Sequence, residues 1–145
     1  MTVIAHDPML APDHPAFVTT GVTPTSLAAL QAAADVVSLH VPRVDATRGL
    51  FNAARLAAMK PGAVLINTAR GGIVDELALA QALRSGHLCG AAIDVFEREP
   101  LPASAHFDGC PNLLLTPHVA GVTAEANQRV SFMIAERVAQ ALAAA

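Results

Sequence analysis

With 145 residues the chain has room for one domain, and 53% hydrophobic against 14% charged residues is the composition of a globular protein. A net charge of −3, no basic block and no Trp or Tyr argue against a nucleic-acid surface built on phosphate contacts and base stacking. No apolar run is long enough to cross a bilayer, MTVIAHDPML has no basic, long-apolar leader pattern, and Cys89 and Cys110 make neither a disulfide framework nor a metal motif. A reduced, cytoplasmic protein with no metal and no membrane partner is the expectation.

Short strands alternate with helices. Val3 to Ala5 is an apolar run stopped by His6-Asp7-Pro8, and Leu10 to Gly21, with two prolines and no period, reads as loop. Thr25 or Ser26 caps a helix through Leu27 and Leu30. DVVSLHV, Asp35 to Val41, is a β-branched strand closed by Pro42, and a short helix runs from about Ala53 to Met59, stopped by Pro61-Gly62. AVLIN, from Ala63, is a continuous apolar run, as a strand covered on both faces requires. Asp75 caps a helix with Leu77, Ala80 and Leu83 on one side, Arg84 in its last turn and Gly86 just past it. GAAIDVF is the next strand, a prolyl loop spans Glu97 to Pro111, and LLLT, from Leu113, is the last strand. Thr123 caps a final helix with Val130, Ile134, Val138 and Leu142 on one face. The alternation predicts βαβ units, a parallel sheet and right-handed crossovers.

Three chemically capable residues stand just beyond three of these runs: Arg70 after AVLINTA, Glu99 after GAAIDVF, and His118 at the end of LLLTPH. A guanidinium is always charged and pairs bidentately with a planar carboxylate. Imidazole titrates near working pH, and a neighbouring carboxylate orients the ring and favours its charged form. Each has a plainer alternative: a surface arginine at a turn, a structural histidine, an exposed charge in EREP, where Glu97 competes with Glu99. Asp94 sits inside an apolar run, where a carboxylate is costly unless paired; a strand-end aspartate accepting backbone hydrogen bonds is the plain reading. Asp7, before Pro8, is either a turn former or the acid that ends the second strand of a dinucleotide fold. His6, His14, His87 and His106 fit no site motif.

LHVP (Leu39 to Pro42), INTARGGIVDE (Ile66 to Glu76), AAIDVFEREP (Ala91 to Pro100) and LLLTPHVAGVT (Leu113 to Thr123) together resemble the D-isomer-specific 2-hydroxyacid dehydrogenases, over nearly the whole chain from Val3. The resemblance implies a Rossmann-type α/β fold, a parallel sheet with helices on both faces, and hydride exchange between NAD(H) and C2 of a 2-hydroxy or 2-keto acid. It makes Arg70 the carboxylate binder, His118 the general acid and base, and Glu99 its partner. It assigns cofactor contacts to Asp7, His40, Val41, Pro42, Thr68, Ala69, Arg70, Asp94, His118 and Gly121, with Asp7 favouring NAD over its 2′-phosphorylated form. Phosphoglycerate-like or sulfolactate-like substrates are suggested by the same likeness.

The sequence contains no GxGxxG, which should lie about 20 residues before the acidic residue; Asp7 is too near the start. The expectation is a partial dinucleotide-binding domain over residues 1–145, without the first βα unit (central strand and glycine loop) and without a substrate domain, with little or no activity unless a partner supplies the rest. In the order 3-2-1-4-5-6 the absent strand should separate VIAH from AVLIN, so that these two pair directly or a homodimer hides their edges. A non-enzymatic, dinucleotide-sensing co-repressor is a second reading and a nonfunctional gene fragment a third.

Overall fold

The computed structural model describes residues 1–103 and 106–143. The elements run β1 (Ile4–Ala5), α1 (Pro15–Thr20), β2 (Thr23–Pro24), α2 (Leu27–Ala33), β3 (Val36–Leu39), α3 (Ala53–Ala57), β4 (Val64–Asn67), α4 (Glu76–Arg84), β5 (Gly90–Ile93), β6 (Leu113–Leu115) and α5 (Ala124–Ala143). Polar residues open four of the helices by accepting an otherwise orphaned backbone N–H. Ser26 accepts from Ala29, Asn52 from Arg55, Asp75 from Ala78 and Thr123 from Ala126, all at 2.9–3.1 Å. Gly86 follows α4 at φ 72°, the left-handed step that ends a helix without Cβ strain.

All strand pairs are parallel. β3-β4-β5-β6 form one sheet, and β1 and β2 pair with each other. The register places Leu39, Asn67, Ile93 and Leu115 in one row across the four-stranded sheet. The next row therefore begins the loops at the carboxyl ends: His40, Thr68, Asp94 and Thr116. The core lies on β4 and under α3 and α4, where Phe51, Leu56, Leu65, Ile73, Leu79 and Leu83 are fully buried.

Four expectations are corrected. The segment Leu10 to Gly21 is not all loop: α1 begins at Pro15, whose fixed φ suits the first helical position, with the His14 ring accepting from Ala16 N–H. Leu77 does not share the inner side of α4; it is half exposed, and Ala78, Leu79, Ala80 and Leu83 are the buried residues. VIAH does not pair with AVLIN, because β4 is already bonded to β3 on one side and β5 on the other. Among the described residues β3 is an edge strand bonded only to β4, and β1 pairs with β2, a two-residue strand containing Pro24 that breaks the usual strand signature. Counting that strand moves DVVSLHV one place along the order, so the open lane adjoins β3 rather than β4.

Candidate functional site

The row at the carboxyl ends of the parallel strands is where loops carrying polar groups converge, as in other open α/β sheets. After β4, the buried Asn67 shapes the turn: its Oδ1 accepts from Ala69 N–H at 3.1 Å and its Nδ2 donates to the Arg70 carbonyl at 3.1 Å. Sequence reasoning had given Asn67 no part; a polar residue ending an apolar run was the available signal. Arg70 is exposed, with Nη1 donating to the Ala69 carbonyl at 2.6 Å. Gly71 lies flat on the next loop. A Cβ there would sit 1.7 Å from the Phe96 carbonyl oxygen, so no other residue fits without moving the backbone.

After β5, the segment Asp94 to Glu99 turns back on itself. Glu99 Oε1 accepts from Phe96 N–H at 2.9 Å, and Oε2 lies 2.8 Å from His118 Nδ1. A carboxylate only accepts, so Nδ1 carries the proton and Nε2 is left to face outward. The hydrogen bond from His118, aided by that from Phe96, holds the Glu99 carboxyl below its usual range. Glu97, the competing carboxylate, has its N–H bonded to Glu76 Oε1 at 2.7 Å.

Asp94 is 2% exposed and faces the loop after β6. Its Oδ1 accepts from Thr116 Oγ1 at 2.6 Å and Val119 N–H at 2.9 Å, and its Oδ2 from Ala120 N–H at 2.9 Å. Burial pushes this carboxyl up, but the bonds from Thr116, Ala120 and Val119 with the nearby His118 charge outweigh it and leave it below the ordinary value. These are the contacts of a strand-end aspartate, and they fix His118 at φ 56°, an uncommon conformation for a side chain with Cβ. A cavity of about 370 Å³ adjoins the pair, lined by Phe96, Leu101, Leu115 and Pro117 beside Glu99 and His118.

The structure thus bonds Glu99 to His118, while Asp94 holds the loop on either side of His118 through Thr116, Val119 and Ala120, and Gly71 packs the Arg70 turn against the Phe96 carbonyl. His40 opens the adjacent loop, with Nε2 2.9 Å from Ser38 Oγ, followed by half-buried Val41 and exposed Pro42. Thr68 is exposed, Ala69 half-buried, and Gly121 exposed beyond the Asp94 cradle. Asp7 lies two residues beyond β1. Its Oδ1 accepts from Met9 N–H at 2.9 Å, and it lines a second cavity of about 350 Å³ with His6, Pro8, Phe17 and Thr25. Of the unassigned histidines, His6 bonds the Thr25 carbonyl and His87 that of Leu56. No group of three potential metal ligands occurs among the described residues, and none of their helices is long and apolar enough to cross a membrane.

Parallel strands, crossover helices and polar loops gathered at one end define an α/β dinucleotide-binding class of fold. Residues 1–120 match the D-isomer specific 2-hydroxyacid dehydrogenase, NAD binding domain family, and the chain belongs to it. It is 52% identical over 142 residues to the (S)-sulfolactate dehydrogenase of Chromohalobacter salexigens, covering 98% of this chain and 46% of that one. It is 45% identical over 141 residues to the D-3-phosphoglycerate dehydrogenase of Mycobacterium leprae, covering 97% of this chain and 26% of that protein. The NAD-dependent formate dehydrogenase of Staphylococcus aureus, solved in complex with NAD, superposes with a TM-score of 0.83 at 33% identity, covering 97% of this chain and 41% of that one. The chain spans less than half the length of these relatives.

Proposed function

We propose that this chain carries the proton-transfer and carboxylate-binding half of an NAD-dependent reductase of 2-keto acids, working in the cytoplasm. The observation that supports this best is the His118–Glu99 pair at 2.8 Å, held at the same sheet end as Arg70. NAD(H), when bound, supplies or accepts the hydride. The carboxylate of Asp7, with one oxygen committed to Met9 and the other open beside a cavity, suits the hydroxyls of an adenosine ribose. His40, Val41, Pro42, Thr68, Ala69, Asp94 and Gly121 are the further residues on which the cofactor would rest. Arg70 grips the substrate carboxylate and sets the orientation of its carbonyl. His118 holds a proton at Nε2 for the carbonyl oxygen and takes it back in the reverse direction. Glu99 keeps the ring in the tautomer that this requires. The 52% identity to an (S)-sulfolactate dehydrogenase supports a sulfolactate-like class of substrate.

The test is a chimera joining the whole chain to the amino-terminal part of the Chromohalobacter relative. NADH-dependent reduction of a short 2-keto acid such as 3-sulfopyruvate is expected. H118N should lower kcat/KM by about 10²–10⁴-fold, the usual range for a proton-transfer group, and R70A should raise KM by removing the partner of the substrate carboxylate. A chimera as active with H118N as without it would remove the proposed role of the histidine.

A further inference from the structure

Glu76 lies at the start of α4, in the middle of the chain between the Arg70 turn and the Glu99 loop. Its Oε1 accepts from the backbone N–H of Glu97 at 2.7 Å across 21 residues of sequence. The same two segments touch again where Gly71 lies on the Phe96 carbonyl, with no room for a Cβ. Phe96 N–H, one residue before Glu97, is held by Glu99 Oε1, and Glu99 Oε2 reaches His118. The chain of contacts therefore runs from Glu76 to the Glu97 amide, along the backbone to the Phe96 amide, and through the Glu99 carboxylate to the His118 ring, while the turn that presents Arg70 is fastened at Gly71. Two successive backbone amides of one loop, at Phe96 and Glu97, are each taken up by a carboxylate, one of them from the Arg70 side. Remove the outer one and Glu99 is left as the one carboxylate holding these two amides, while it also orients the imidazole.

We propose that Glu76 is a positioning residue for the reaction: it ties the Arg70 turn to the Glu99 loop and so keeps Glu99 within reach of His118. The role rests on the reading of His118 and Glu99 given above, and it needs no contact of Glu76 with substrate. Because only acceptor geometry is required, glutamine should replace glutamate and alanine should not.

The experiment follows the Nδ1 proton of His118 by NMR in the 145-residue chain, as a downfield resonance that reports its hydrogen bond to Glu99. It should appear in the parent and in E76Q, and in E76A it should broaden or exchange with solvent at least about tenfold faster, while the melting temperature stays close to that of the parent. An E76A spectrum and exchange rate identical to those of the parent would overturn the proposal while leaving the histidine–glutamate pair intact. Absence of the resonance from the parent, or its persistence unchanged in E99A, would overturn the pair itself and the proposal with it. Failure of E76Q to match the parent would also overturn it, because the acceptor would then not be what matters.

Discussion

Asp94 spends its hydrogen-bonding capacity on the loop that bears His118, and that choice has measurable consequences. D94A leaves Thr116 and the Val119 and Ala120 amides without an acceptor and should cost about 1–3 kcal/mol of stability in urea unfolding. Acid should act on the same assembly. Asp94 and Glu99 both have folded values below their ordinary ones, so the unfolded chain takes up protons first. Their stabilisation is then complete above the unfolded values, about 3.9 and 4.3, and is lost as pH falls through the lower folded ones. The urea midpoint should decline below about pH 4.5, and less steeply in D94N and E99Q than in the parent; equal slopes would contradict the assignment. G71A tests the opposite kind of constraint. Forcing a Cβ into the Phe96 carbonyl should destabilise by about 1–3 kcal/mol or more, read as a lower melting temperature.

At the scale of elements, α4 divides cleanly between what pattern reveals and what it hides. The Asp75 cap, the Arg84 turn and Gly86 follow from side-chain chemistry that operates locally, so they are legible in sequence. Which leucine faces inward depends on the phase of the helix against β4, and Leu77 and Leu79 are equally apolar. L79A should cost about 2–5 kcal/mol and L77A under about 0.5, compared by chemical denaturation. The hidden elements share one cause. The α1 start at Pro15 and the β2 strand ending at Pro24 are short, and each carries the residue normally read as a breaker. The candidate site residues are the ones that four ordered motifs surround, which is why the sequence singles them out. Asn67 and Glu76 are not singled out, because their work is a contact to backbone 2 to 21 residues away that no spacing rule encodes.

For the molecule as a whole, the ladders leave edges. β3 is bonded on one side alone, with Val36 53% exposed, and the α5 face of Val130, Ile134, Val138 and Leu142 is exposed throughout. Parallel strands are ordinarily covered on both faces and paired on both edges, and exposed apolar area of this extent drives association. Sedimentation of the purified chain should show self-association by about 100 µM, reduced by I134E; a monodisperse monomer at that concentration would show that these surfaces are tolerated in water.

The last strand of the sheet carries a consequence for assembly. β6 is three residues long, and its Leu114 and Leu115 are 62% and 37% exposed, so contrast between a wet and a dry face does little to choose its alignment. A slip by one residue would turn His118 away from Glu99 while changing little apolar burial. What discriminates is the set of bonds that Asp94 makes beyond the strand, together with the Asn112 amide on the Cys89 carbonyl at 2.9 Å. The carboxylate that fastens the His118 loop is thus also a proofreading contact in folding: a chain threaded wrongly loses it at once.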